Sequence, residues 1–99
     1  MSGPGRLVVI AALAAGCRVA PPRATALDAD RAHVELAVLE QGRSLLVSKC
    51  SGACHRAPLP SEHTAAEWPA KLAEMATRAG LDVTQHALIE QYLVTMASR

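Results

Sequence analysis

Two cysteines and a histidine, Cys50, Cys54 and His55, have the residue types needed to attach a haem group covalently. In the C-x-x-C-H pattern of c-type haem sites, both cysteines bond to the haem and the histidine binds its iron. Here Cys54 directly precedes His55, but residues 51–53 separate the two cysteines, one residue more than that pattern has. Gly52 gives this longer loop backbone freedom. The spacing therefore predicts a variant attachment site with one or two thioether bonds.

The same residues allow other kinds of site. In an exported protein, Cys50 and Cys54 could form a local disulfide within a haem-free helical binding module. A metal ion could instead be held by Cys50, Cys54, His55 and His63, although zinc prefers four ligands in a closed site. A cysteine beside a histidine can also act as a reactive thiol, but no set of nucleophile, base and orienting group stands out. The residues alone favour haem and leave these alternatives open.

Size and composition limit the classes of protein to consider. The chain has 99 residues and a net charge of +1, which indicates one domain and gives no electrostatic footprint for nucleic acid. It has no Phe, one Trp and one Tyr, so large side chains that could fill a core are scarce. Because small domains bury little surface, a bound haem would help to complete such a core.

The amino terminus has the features of an export signal. Arg6 precedes an apolar run at 7–15 that is too short to span a bilayer. The run leads into Ala-Ala-Gly-Cys17, which resembles a bacterial lipobox and predicts removal of residues 1–16 and lipidation of Cys17. Ordinary cleavage after Ala26 is the alternative. The chain is therefore expected to be exported, periplasmic and held on a membrane by a lipid anchor.

Residues 17–28, with two prolines, are predicted to be a flexible tether, and 29–99 to be the folded domain. The apolar spacing in that domain is helical throughout, and no alternating strand pattern is present, so the fold class is expected to be all-α. The first helix is predicted over residues 29–49, capped by Asp28 or Asp30. Its stripe contains Gly42, which costs about 1 kcal/mol of helix propensity relative to Ala and suggests a close helix crossing.

Two further helices are marked by their end signals. The pattern Thr64-Ala-Ala-Glu67 is a capping box that starts the second helix, and Gly80 is placed to end it with a left-handed residue. Asp82, with Gln85 three positions on, starts the third helix. The segment between the first two helices, which contains the Cys-His pair, is predicted to be irregular because of its prolines.

In their order along the chain, these motifs resemble a small class I cytochrome c, over roughly residues 42–93. Gly42, followed by two leucines and then Cys50, has that family's spacing of glycine, apolar pair and first haem cysteine. The segment 88–93 resembles the family's carboxy-terminal helix, whose aromatic residue packs on the amino-terminal helix near the glycine. The resemblance implies a crossing of Gly42 and Tyr92, and a fold of three main helices around one haem.

The resemblance also implies the ligands of the iron. Glu67-Trp68-Pro69 with Met75 further along resembles a bacterial subgroup in which that methionine faces the iron, opposite the histidine that corresponds to His55. Because Met75 shares a helical face with Trp68 and Leu72, it is expected to point into the core. The other residues considered for the second ligand are Met96, His63, His86 and His33.

The resemblance further implies a pocket and a function. The backbone carbonyl of Pro60 or Pro58 is expected to accept the ring N–H of the histidine, and Leu59, Pro60, Trp68 and Leu72 to line the haem pocket. A thioether opposite histidine tends to raise the potential of the iron. With both axial positions filled, the expected role is electron transfer to and from redox partner proteins, without enzymatic activity.

Overall fold

A computed structural model describes residues 19–51 and 56–99 of the chain. Over these ranges it is all-helical, with no strand, so the predicted all-α class is confirmed for them. None of the described helices is long and apolar enough to cross a membrane. The elements are α1 (Ala26–Ala32), α2 (Leu36–Cys50), a short 3₁₀-helix (Pro60–Glu62), α3 (Trp68–Ala79) and α4 (Val83–Ala97).

The predicted first helix is two helices, which corrects both its boundary and its cap. Thr25 caps α1, and Asp28 is the partner residue inside the helix: the Thr25 N–H donates to Asp28 Oδ2 at 2.7 Å, and the Asp28 N–H donates to Thr25 Oγ1 at 3.3 Å. The helix stops at His33, whose φ of 55° is left-handed. The Val34 N–H then donates to the Ala29 carbonyl at 3.1 Å, as in a Schellman ending. Histidine tolerates this left-handed conformation better than most residues. The helical spacing of apolar residues continues through His33, although the helix itself ends there.

The signals for the other two helices are present, but the predicted start of the second helix at Thr64 is wrong. Thr64 and Glu67 form the reciprocal capping box, with bonds of 2.8 and 3.2 Å, around a turn at 65–67, and α3 begins after it at Trp68. Gly80 ends α3 with a φ of 67°. Asp82 caps α4 and exchanges bonds of 2.8 and 3.1 Å with Gln85. Local sequence therefore defines the end of α3 and the start of α4, and it sets the turn that precedes α3.

The core forms where α2 and α4 cross. A Cβ atom added to Gly42 would lie 2.8 Å from Tyr92 Cβ and would also collide with the Leu88 carbonyl oxygen. The crossing of Gly42 and Tyr92 implied by the family resemblance is thus present. One buried cluster runs from this crossing to α3 and consists of Leu46, Ala57, Trp68, Leu72, Ile89, Tyr92, Leu93 and Met96.

Residues 19–25, here called the N-terminal strap, differ from the flexible tether expected for residues 17–28. Pro21 is buried, and its carbonyl accepts a bond from Arg43 Nε on α2 at 2.9 Å. The hydroxyl of Tyr92 donates to the Pro22 carbonyl, and burial raises the pKa of Tyr92 to about 12. Arg99 Nη2 donates to the Arg23 carbonyl at 3.3 Å. The strap is held because side chains of the helical domain satisfy carbonyl groups of its backbone.

A buried carboxylate joins the two ends of the described domain. Asp28 is 3% exposed and lies between two arginines, with Arg99 Nη2 and Arg31 Nη2 each at 2.8 Å from a carboxylate oxygen. The bond from Arg99, together with those from Thr25 and Arg31, holds the pKa of Asp28 well below its usual range, against the effect of burial. α1 is therefore fastened to the carboxy-terminal end of α4 by charge-assisted bonds.

Candidate functional site

The structure describes part of the predicted site. Cys54, His55 and the predicted lipidation residue Cys17 lie outside the described residues. Cys50, Met75 and the predicted pocket residues lie within them. The described part of the candidate site therefore consists of the groups that flank the Cys-His pair and of the helix that presents Met75.

Cys50 is the last residue of α2, because the helix gives way there to extended backbone at Ser51. Its side chain is half-buried and packs against the core cluster. Burial raises the pKa of the Cys50 thiol, so little thiolate is present at neutral pH. This environment disfavours the reactive-thiol interpretation and suits a cysteine whose sulfur is held against an apolar group.

The chain returns to the same core after the Cys-His pair. Ala57 is 6% exposed and belongs to the core cluster, as the half-buried Cys50 does at its edge. Cys50 and Ala57, each one residue beyond the exposed Ser51 and Arg56, are thus held against the same core cluster.

Glu62 fastens the segment that follows. Its Oε2 accepts the Leu59 N–H at 2.7 Å and Arg56 Nη1 at 2.8 Å, so the carboxylate closes the turn from both ends. The Leu59 bond first, and then Arg56, lowers the pKa of Glu62. Sequence reasoning gave Glu62 no role. A glutamate three positions after Leu59, with Pro60 between them, has the spacing of a capping box and is the signal that could have identified it.

Trp68 connects this segment to α3. The indole is fully buried, and its Nε1 donates to the Pro60 carbonyl at 2.8 Å. Pro60 is buried as well, and Leu59 beside it is half-buried. The Pro60 carbonyl, one of two expected to accept the ring N–H of His55, is thus already bonded to Trp68. Its second lone pair could still accept another donor.

Met75 lies about two turns along α3 from Trp68 and on the same face. Leu72, between them, is fully buried, while Met75 is half-buried and packs against the core cluster. Cys50 and Met75, the two described sulfur-bearing candidates, come from different helices, and each packs against the core cluster.

The structure also places the other residues considered as second ligand. Met96 is 4% exposed inside the core, as a packing residue would be. The ring of His63 lies edge-on to Trp68, with ring centroids 4.9 Å apart. His86 Nε2 is 3.7 Å from a Glu90 carboxylate oxygen on the surface of α4. His33 is exposed and forms the left-handed end of α1.

Within residues 19–51 and 56–99, no three His, Cys, Asp or Glu side chains are grouped so that they could hold a metal ion. The predicted metal site also uses Cys54 and His55, which lie outside these ranges.

No protein-family model, curated protein or solved structure matches this chain. What the site does must therefore be inferred from its own residues and their contacts.

Proposed function

We propose that the chain is a small monohaem c-type cytochrome that transfers single electrons between redox proteins and is not itself an enzyme. Haem c would be attached through Cys50 and Cys54, with His55 and Met75 as the axial ligands. The observation that carries this proposal is the contact of α2 and α4 at Gly42 and Tyr92. It is the contact that the cytochrome resemblance implies, and Cys50 lies two turns beyond it on the same helix.

The described contacts support this proposal in a second way. Cys50 and Met75 are far apart in the chain, yet both pack on the cluster that contains Trp68 and Leu72. A prosthetic group attached at Cys50 would have to extend along this cluster to reach Met75. The two half-buried sulfur side chains then have a common function, since each would contact a different part of one group.

Each residue has a defined task in electron transfer. A haem held by these residues supplies a reversible one-electron couple at its iron. Bound to the iron of such a haem, the thioether of Met75 would favour the reduced state and so raise the potential. The fully buried Leu72 and Leu46 belong to the core cluster against which Cys50 and Met75 pack, and such apolar surroundings would lower the local dielectric constant. With His55 and Met75 both engaged, no open position is left for a substrate.

The location proposed for the protein follows from its amino-terminal sequence. The apolar run at 7–15 and the lipobox-like residues before Cys17 support export to the periplasm and a lipid anchor. Export is also consistent with haem attachment, which takes place outside the cytoplasm in bacteria. The electron donor and acceptor would then be other periplasmic or membrane-bound redox proteins, met through small transient interfaces.

The test is a haem stain and a pyridine haemochrome spectrum of the full chain, exported in cells that contain the cytochrome c maturation proteins. Covalent haem is expected, and the band position reports whether one or two thioether bonds form. Cys54→Ala should abolish or strongly reduce attachment, and Ser51→Ala, which changes the same loop without removing a sulfur, should not. A parent chain without covalent haem, with a Cys50–Cys54 disulfide found by mass, would instead identify a haem-free helical binding module.

A further inference from the structure

The hydrogen bond between Trp68 and Pro60 joins the helix that carries Met75 to the segment that follows His55. The proposed function requires these two parts to keep a fixed relative position. Trp68 is on the helix that presents Met75, and Pro60 is in the segment that follows His55 in the chain. The bond is 2.8 Å long and buried. It is the direct polar connection that the structure shows between α3 and the 3₁₀-helix.

We propose that Trp68 is a positioning residue that holds the segment after His55 against the helix that carries Met75. The inference rests on the proposed cytochrome function, and it assigns Trp68 a role beyond filling the core. The indole spans from the Pro60 carbonyl to the face shared with Met75. It thereby fixes the separation between the two sides of the chain from which the axial ligands would come.

Further contacts surround this bond. Glu62 connects Leu59 and Arg56 within one turn through solvent-exposed bonds, so Pro60 and the residue directly after His55 belong to the same hydrogen-bonded turn. On the other side, the fully buried Leu72 packs one turn from Trp68 and holds its face of α3 in the core. The ring of His63 also packs edge-on against the indole, which adds a contact between α3 and the residue that follows the 3₁₀-helix.

A tryptophan that only filled space would not need its N–H. Here the N–H has a buried acceptor, and the described residues leave no buried side-chain polar atom without a partner. Trp68→Phe keeps an aromatic ring of similar position but removes the donor and leaves the Pro60 carbonyl without it. Because Trp68 is among the largest fully buried side chains, the smaller ring also lowers the stability of the fold, so the register of the site must be measured separately from folding.

The experiment uses the full chain with covalent haem and follows two signals in one thermal ramp. The sulfur–iron charge-transfer band reports ligation by Met75, and far-ultraviolet circular dichroism reports the helices. In Trp68→Phe the band is expected to disappear at a clearly lower temperature than the helical signal, while haem content stays that of the parent chain. The matched control is Ile89→Val, a small core truncation on α4, in which both signals should shift together.

A second measurement uses the single tryptophan of the chain. Its indole N–H gives one resonance in a nitrogen-15 correlation spectrum, and exchange of this proton with deuterium should be slow because the bond is buried. If Trp68→Phe fails to fold, Glu62→Ala releases the same segment from outside the core and should show the same separation of the two signals. Glu74→Ala, at an exposed site on α3, is its control.

The outcomes distinguish this inference from the proposed function. Suppose that the parent chain carries covalent haem. Loss of the charge-transfer band and of the helical signal at the same temperature in Trp68→Phe would then overturn the positioning role of Trp68 and leave the cytochrome proposal standing, and so would rapid exchange of the indole proton in the parent chain. A parent chain without covalent haem would overturn both.

Discussion

Tyr92 lies against Gly42 so closely that even a methyl group on the glycine would be only 2.8 Å from the Tyr92 Cβ. This contact decides how α2 and α4 cross, because backbone approach of this kind is possible only where one partner has no side chain. It also directs α2 so that Cys50, at its end, reaches the core cluster.

Gly42→Ala is expected to destabilise the protein. Alanine improves helix propensity by about 1 kcal/mol, but the added carbon collides with the Leu88 carbonyl and Tyr92, and overpacking of this kind costs about 1–3 kcal/mol. We expect the collision to dominate, with a lower free energy of unfolding in a denaturant titration. Ser44→Ala, at an exposed site on the same helix, is the control and should be neutral or slightly stabilising. An equally stable Gly42→Ala variant would argue against the close crossing.

Met75→Ala is expected to keep covalent haem but to lose the sulfur–iron charge-transfer band, because the thioether is removed and the attachment cysteines are not. The reduction potential should fall as well, since a thioether ligand favours the reduced iron. Met96→Ala is the matched control. It should retain the band and lose about 2–5 kcal/mol of stability, because Met96 is a core residue. Loss of the band in Met96→Ala alone would show that the ligand is assigned to the wrong methionine.

Acid should weaken the link between α1 and α4. The folded-state pKa of Asp28 is lowered by its arginine partners, so its contribution is complete at neutral pH and declines as the pH falls below about 4. Asp28→Asn should cost about 2 kcal/mol at pH 7, since bonds to a charged group are lost. The difference from the parent chain should shrink on acidification. A difference that stays constant from pH 7 to pH 3 would contradict this account.

High pH should weaken the attachment of the N-terminal strap to α4 through Tyr92. The pKa of Tyr92 is raised to about 12, so the phenol stabilises the fold fully below its ordinary pKa of 10.0, and this contribution is lost as the pH rises from 10 towards 12. Tyr92→Phe lacks the bond to Pro22 and should be less stable by about 1 kcal/mol at neutral pH. Its stability should fall less than that of the parent between pH 9 and 11. Parallel curves would mean that Tyr92 ionises as it does in an unfolded chain.

Cys17→Ala is expected to release the protein from membranes, because Cys17 is the predicted site of lipidation. Membrane and soluble fractions of exporting cells, probed for the protein, give the measurement. Cys50→Ala is the reciprocal control: it should stay with the membrane and change the thioether count. Retention of Cys17→Ala on the membrane would contradict the anchor.

The helical ends that the sequence predicts correctly are those whose signals are local. Gly80 ends α3, and Asp82 with Gln85 starts α4, as their spacing predicts. Thr64 with Glu67 forms the predicted box, but the helix begins four residues later, at Trp68. The crossing at Gly42 was accessible through the family resemblance. The role of Met75 and the haem itself remain predictions.

The features that the sequence did not predict depend either on a choice between two possible cap residues or on contacts between residues far apart in the chain. Thr25 and Asp28 have the spacing of a capping box, but Asp28 is also a good cap on its own, and the choice between them depends on the arginine that binds it from the other end of the chain. The break at His33 lies within an uninterrupted apolar pattern. The strap depends on Arg43 and Tyr92 reaching the carbonyls of Pro21 and Pro22, which no local pattern encodes.

The strap limits how far the folded domain could extend from a lipid anchor at Cys17. Only Arg18 stands between Cys17 and the first strap residue, and one extended residue spans roughly 3.5 Å. If Cys17 carries a lipid, the domain would therefore have no swinging arm and would sit directly on the bilayer, with a restricted tilt. Electron exchange would then depend on two-dimensional diffusion and on partners whose docking faces lie at the same height above the lipid.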